Sequence, residues 1–480
     1  MTNPCRSKMN CAVVFFCVAT AVAAQAQTLT TIQNFDSSNG AEPEYTSITQ
    51  GVDGNLYGST SQGGSDLVGT VFKISPANQV SLVYSFDVTD GELPYGGPVQ
   101  ATNGTLYGTT TYGGANGAGS IYEFPPGGQL TTLYSFCSKA NCADGERPWG
   151  SLIEATNGDL YGTTFTGGAY DSGTVFKITP TKGKLTTLYN FCTLQGCADG
   201  VAPYSGLVQA SNGNLYGTTS SGGANNRGTV FEITPTKGKL TTVYSFCQKT
   251  NCTDGAGPYG GLIQASNGNF YGTTYKGGVN CVSDDGCGTV FEIPTKGMLK
   301  TLYNFCTQSN CADGANPQVG LVQATDGKLY GTTWLGGANG DGTIFSITTK
   351  GAPNTLVTFD GSNGNQPWGV LFQATNGTLY GSTFMGGSDG YGTVFSLSVG
   401  LGPFVETLPT AGKVGTQVLI LGDSLTGTTE VTFNGTAAQF TVVSGTEIKA
   451  TVPTGATSGT VEVTTPNGTL KSNVIFRVTK

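Results

Sequence analysis

The sequence predicts an all-β fold: a seven-bladed β-propeller of four-stranded blades, followed by an Ig-like β-sandwich. Three observations predict it. Gly accounts for 75 of 480 residues, while charged residues are 11% and aromatics 10%. So many turn-forming residues among so many rings describe short strands, not a disordered chain. The phrase Leu-Tyr-Gly-[Thr/Ser]-Thr, once with Phe for Leu, recurs with its Tyr at Tyr57, Tyr107, Tyr161, Tyr216, Tyr271, Tyr330 and Tyr380, at intervals of 50, 54, 55, 55, 59 and 50 residues. A period of roughly 50 residues is that of a propeller blade. Around Val399 the repeat stops and another pattern of short strands begins.

Each unit carries four strand candidates, illustrated by the third. Strand A is Ser151–Ala155, B is Asp159–Thr164, C is Thr174–Ile178 and D is Leu185–Phe191. Asn157-Gly158 between A and B is a hairpin signal, and Pro180–Gly183 turns the chain between C and D. Both faces of the strands are apolar, as in sheets stacked between neighbours. The last unit holds A, B and C within Gly369–Leu397 but no D, and an orphan D strand, Thr28–Phe35, stands near the start. Pairing Thr28–Phe35 beside Gly392–Leu397 completes the seventh blade and closes the ring, removing its free edges; an open solenoid is the alternative. The propeller thus spans 28–398. Residues 403–480 show short strands between Phe404 and Val478, with turns such as Asn434-Gly435 and Asn467-Gly468, the pattern of a small sandwich.

Residues 1–26 read as a secretory signal: Arg6 and Lys8, an apolar stretch Cys11–Ala24, then Ala24-Gln25-Ala26 for cleavage. The expected location is extracellular, at the cell surface or in the periplasm. Cleavage leaves 20 Lys+Arg against 30 Asp+Glu, an acidic chain that disfavours nucleic acid, and no later apolar run is long enough to cross a membrane. Ten Cys remain, in five close pairs: Cys137/Cys142, Cys192/Cys197, Cys247/Cys252, Cys281/Cys287 and Cys306/Cys311. Even number, spacing and export predict disulfides, each worth roughly 2 kcal/mol by chain entropy. The chain has no His, which excludes Ser-His-Asp and Cys-His catalysis and His-ligated zinc.

The unit of Leu-Tyr-Gly-Thr-Thr, a Gly-Gly doublet such as Gly167-Gly168 and Gly-Thr-Val-Phe such as Gly173–Phe176 resembles the GloVer-type tandem repeat of secreted bacterial proteins. That resemblance implies export and repetition and no particular chemistry. The tail resembles an IPT/TIG immunoglobulin-like domain in Leu408-Pro-Thr-Ala-Gly412, Gly415–Gly422, Val431-Thr-Phe-Asn-Gly435 and Val452-Pro-Thr-Gly455. Such domains are spacers or interaction modules, with no catalytic residues to carry over.

Strand order places the D-to-A and B-to-C loops on one rim and the A-to-B and C-to-D turns on the other. The first rim holds the Cys pairs and most length variation, which makes it the expected binding face. Two features recur there. [Asp/Asn]-Gly-x-x-Pro begins at Asn39, Asp90, Asp144, Asp199, Asp254, Asp313 and Asn363. It reads as an Asx-type turn or as a carboxylate ring able to hold Ca²⁺. Twelve residues before each repeat Tyr stand Tyr45, Tyr95, Trp149, Tyr204, Tyr259, Gln318 and Trp368. They form a predicted ring at the mouth of a central channel, available for stacking on a sugar or for packing between blades. Phe165, Tyr275, Trp334 and Phe384 add rings from the B-to-C loops. The expected function is non-catalytic binding or adhesion toward an extracellular ligand, with carbohydrate as the candidate class, no assigned metal ligand and no catalytic residue. A carboxylate-dependent glycoside hydrolase or lyase is the alternative, with Glu92, Glu146 and Asp285 as its candidates; a structural cell-surface component is the other.

Overall fold

The computed structural model describes residues 27–280, 286–295 and 298–479. The proposed signal therefore lies outside the described residues.

The third unit shows why the repeat folds as it does. Its strands are Ile153–Glu154, Leu160–Thr164, Thr174–Thr179 and Lys184–Asn190, paired antiparallel in chain order. Gly162 lies opposite Phe176, and a Cβ there would sit 2.6 Å from Phe176 Cζ. The Tyr-Gly pair thus makes room for a ring of the next strand. Tyr161 is fully buried, and Asn157 Nδ2 donates to its hydroxyl at 2.9 Å. Asn157 therefore serves both the turn and the core. Ala155 N donates to Asp159 O at 3.0 Å across a three-residue loop whose Gly158 has φ +80°, a conformation glycine adopts without strain. The Thr164 and Thr174 hydroxyls lie 2.8 Å apart, and an equivalent hydroxyl pair recurs in every blade, with Ser120 facing Thr110 in the second. Strand A is shorter than expected because its flanks leave the ladder to pack against the neighbouring inner segments.

Seven such sheets, each four-stranded and antiparallel, are arranged as propeller blades. In the seventh, the sheet of Phe372–Gln373, Leu379–Thr383 and Thr393–Ser398 is completed by Thr28–Asn34 in the register Thr28↔Ser398 to Asn34↔Thr393. The N-terminal strand thus closes the ring. One aromatic contact staples each blade to the next, between the ring that ends strand D and a ring in the following strand C. Examples are Phe191–Phe231 at 5.2 Å and, across the closure, Phe35–Phe72 at 5.6 Å.

The ring axis is tightly packed where a channel was expected. A Cβ on Gly97 would lie 2.1 Å from Ser47 O, and one on Gly150 would lie 2.3 Å from Gly206 N. The Ser47 and Ser151 hydroxyls hydrogen-bond at 2.8 Å. Small inner residues let the blades converge until backbone meets backbone, so the mouth above is a bowl.

Residues 406–479 form further sheets. One orders Glu406–Leu408, Gln417–Leu421, Glu447–Thr451 and Gln439–Val442, and another Thr436–Ala437, Glu430–Phe433, Val461–Thr465 and Gly468–Lys471. A parallel pair joins Ala411–Lys413 to Arg477–Thr479. Both larger sheets supply one buried cluster that includes Val418, Ile420, Val431, Phe433, Ile448 and Val463. Gly468, expected in a turn, begins a strand. The tail meets the ring at A-to-B turns: Thr446 Oγ1 donates to Val52 O at 2.9 Å, Phe404 N to Thr375 O at 2.9 Å, and Arg477 to Ser211 O.

Candidate functional site: the aromatic mouth

The D-to-A loops build the site. In the loop around Asp199 the carboxylate is fully buried. It accepts hydrogen bonds from the Tyr189 hydroxyl at 2.8 Å, Thr193 N at 2.9 Å and Leu194 N at 3.2 Å. Asp144, Asp254 and Asp313 repeat this with Tyr134, Tyr244 and Tyr303. Burial alone would raise Asp144 and Asp313, but the Tyr and Ser or Thr hydrogen bonds outweigh it and hold both carboxyls below their usual range. Asn39 and Asn363 accept from Asp36 N at 3.2 Å and Asp360 N at 3.1 Å. Each motif side chain is thus engaged inside its own loop by N–H groups three to six residues before it, a different closure from the Asx-type turn expected, and this leaves no ring of free carboxylates for Ca²⁺ among the described residues. The loops are tied by Cys137–Cys142, Cys192–Cys197, Cys247–Cys252 and Cys306–Cys311. Cys281 lies outside the described residues, so the pair it was expected to form with Cys287 is not described.

After each motif, the residue before Pro takes a left-handed conformation, from Glu42 at φ 52° to Gly257 at φ 59°, and turns the chain toward the axis. In six units the residue directly after Pro enters the mouth: Tyr95, Trp149, Tyr204, Tyr259, Gln318 and Trp368. The first unit reads Pro43-Glu44-Tyr45, one residue longer. That insertion leaves Tyr45 at φ 48°, a strained conformation for a residue with a Cβ. Tyr45 reaches across the mouth. Its ring centroid is 4.8 Å from Trp368, 5.6 Å from Trp149, 5.9 Å from Tyr95 and 6.3 Å from Tyr204. Its hydroxyl donates to Gln318 Oε1 at 3.3 Å.

All seven predicted mouth residues line one cavity of about 280 Å³, together with Glu44 and Tyr275. Trp334 stands behind this lining, 5.8 Å from Trp368 and 6.2 Å from Tyr275. Phe165 and Phe384 likewise back Trp149 and Trp368. The equivalent positions of the first, second and fourth units are Ser61, Thr111 and Ser220, so the outer ring of aromatics is broken at those three units, the first of which carries Glu44. The indole N–H groups of Trp149, Trp334 and Trp368 are buried without a hydrogen-bond acceptor among the described residues.

Glu44 is the one charged side chain of the lining among the described residues. Burial pushes its carboxyl up to about 7; hydrogen bonds from Tyr95 and Ser61 oppose that shift, and the nearby Glu42 charge adds to it. Burial also pushes the Tyr204 hydroxyl up to about 12. The acidic candidates named from sequence are elsewhere. Glu146 accepts from Thr166 Oγ1 at 2.9 Å and Glu92 pairs through its backbone with Tyr112; neither lines the cavity, and Asp285 lies outside the described residues. A second cavity of about 300 Å³ lies where the outer strands of the fifth and sixth blades adjoin. Its polar pair, Tyr303 and Asp313, is hydrogen-bonded within the loop at 2.6 Å, which leaves little to offer a ligand.

The Gloeobacter/Verrucomicrobia repeat pattern matches residues 46–283 and 281–475. The chain belongs to that repeat family. No curated protein matches it in sequence. Among solved structures it is similar to a fungal alcohol oxidase of the AA5 family in complex with copper. That protein is 13% identical, with TM-score 0.51, covering 94% of this chain and 99% of that one. It is also similar to an oligogalacturonate lyase from Vibrio parahaemolyticus, 9% identical, with TM-score 0.49, covering 77% of this chain and 93% of that one. At such identity the first likeness speaks for the propeller fold alone.

The family repeat accounts for the scaffold, and the site sits where this chain departs from its own repeat. Sequence spacing did not point to Glu44, because the interval from mouth residue to repeat Tyr is twelve in every unit, with or without the insertion. Counting forward from the Asx-Gly motif exposes it: Asn39 to Tyr57 is 18 residues, against 17 from Asp90 to Tyr107.

Proposed function

We propose that the chain is an exported, non-catalytic binding protein that takes a carbohydrate at the aromatic mouth. The observation that carries this reading is the convergence of seven rings and Gln318 on one bowl. Flat rings with polar edges stack on the apolar faces of sugars and leave hydroxyls hydrogen-bonded. Paired carboxylates in one pocket, about 5–10 Å apart, are what glycoside hydrolysis needs. The lining holds one, Glu44, among the described residues, which favours binding over hydrolysis. Export is supported by the character of residues 1–26 and by the disulfides, which persist in oxidising compartments. The tail is read as an IPT/TIG-like, Ig-like sandwich that serves as spacer or interaction module, supported by its two facing sheets and by its contacts on the rim opposite the mouth.

A glycan array with the full chain tests the reading. Binding is expected for the wild-type chain and is expected to be lost in the Trp149→Ala/Trp368→Ala double variant. Unchanged binding by that variant would remove the mouth from consideration.

A further inference from the structure

We infer that the mouth selects an amino sugar, with the Glu44 carboxylate receiving the ammonium group while the rings of Tyr45, Tyr95 and Trp149 stack on the sugar. This rests on the carbohydrate reading above and names the class of sugar within it.

Glu44 is singular in the repeat. Six units pass directly from Pro to the mouth residue, and only the first inserts a residue, a carboxylate. The insertion costs the backbone a left-handed Tyr45, so it opposes the regular packing that the other loops follow. A purely structural repeat has no use for a charge at this point. Glu44 lies among aromatic side chains, with neutral partners in Tyr95 and Ser61, and it makes no ion pair among the described residues. Among the described residues no Lys or Arg lines the cavity. The surrounding ring faces carry negative quadrupoles, which attract a cation and repel an anion. A half-buried carboxylate in such a setting is undersatisfied by neutral donors, and an ammonium supplies charge-assisted hydrogen bonds about twice as strong as neutral ones. Gln318, only 7% exposed, accepts from Tyr45 with its oxygen and lines the cavity, so its amide N–H groups are available to a sugar hydroxyl.

The charged groups near the mouth differ in sign, and the nearest to Glu44 is negative. Glu42 on the same loop adds negative potential. Lys276 lies over the outer Tyr275 ring at 5.9 Å and Arg147 over Tyr112 at 5.2 Å, both on the rim and outside the lining. Since the Glu44 carboxyl sits at about 7 in the free protein, preference for the amine weakens as pH falls below that value.

The test is calorimetric titration of the full chain with a glucosamine tetramer and with its fully N-acetylated counterpart, at low salt and pH 7.5. Both are run against wild type and Glu44→Gln, with thermal melts to show that the isosteric variant is folded. In wild type the amine form is expected to bind at least about tenfold more tightly, and in Glu44→Gln the two are expected to agree within about twofold. Equal binding in wild type, or a preference that survives Glu44→Gln, overturns the amino-sugar assignment and leaves the carbohydrate reading intact. Absence of binding to either tetramer, joined to a blank glycan array, overturns the carbohydrate reading itself.

Discussion

The two rims of the ring are built from the same repeat and differ in what they do with it. On the A-to-B rim every turn is nearly a copy of the next, such as Asn157-Gly158 and Asn212-Gly213, with an Asn or Asp near the buried Tyr hydroxyl. The tail contacts this rim at Val52, Ser211 and Thr375. On the opposite rim, loops carry the disulfides, and one inserted residue puts Glu44 and Tyr45 into the mouth. The difference teaches that regularity here marks scaffold, and the break in regularity marks the candidate site.

The largest effect is expected from opening the ring. Deleting residues 28–35 removes the outer strand of the seventh blade and exposes a sheet edge. Loss of a cooperative melt and aggregation on size-exclusion chromatography are expected; a well-folded monomer would show that closure by this strand is dispensable. Next comes Gly97→Val, which forces a Cβ into the Ser47 backbone near the axis. A loss of about 3 kcal/mol in urea unfolding is expected, at the upper end of the range for overpacking. Asp199→Ala, on the loop rim, leaves buried donors unpaired and is expected to cost about 2 kcal/mol by the same measurement. Deleting Glu44 restores the regular loop length. Stability within about 1 kcal/mol of wild type, joined to loss of ligand binding, would separate scaffold from site.

A smaller effect is expected in pH dependence, and it has opposite signs in the two kinds of carboxylate. Glu44 is raised by burial from 4.5 to about 7, so its ionisation opposes folding, and stability falls as pH climbs between those values. Because the group keeps some contact with solvent, the effect is discounted to about 1 kcal/mol. Asp144 and Asp313 are held below their usual range, so they stabilise at neutral pH, and that stability is lost as pH falls through their lowered range. The difference in unfolding free energy between Glu44→Gln and wild type, measured from pH 4 to pH 8, should grow in favour of the variant with rising pH. A flat difference would place Glu44 in water.

Much of the scaffold was legible because its causes are local. Gly162 opposite Phe176, the Thr164–Thr174 pair and Asn157 beside Tyr161 are all read within one unit, and seven copies average out the ambiguity of each. Strand A was read too long because its flanks are governed by neighbouring blades. In the tail, Ala411–Lys413 and Gly468–Lys471 were not read as strands, since no repeat reinforced them. At the mouth, the aromatic positions were legible from their spacing, whereas Glu92 and Glu146 drew attention as singular acids and proved to lie outside the cavity.

By itself the sequence determined the number of blades, the order of strands and the strand that closes the ring. These follow from hydrophobic alternation, turn residues and period, which act over a few residues and are repeated. Only the tertiary structure decided that the axis is packed, that Tyr45 crosses the mouth and that Glu44 stands among rings with no ion pair among the described residues. Those features depend on which loops from distant units converge at the axis, and convergence is set by the closure of the whole ring.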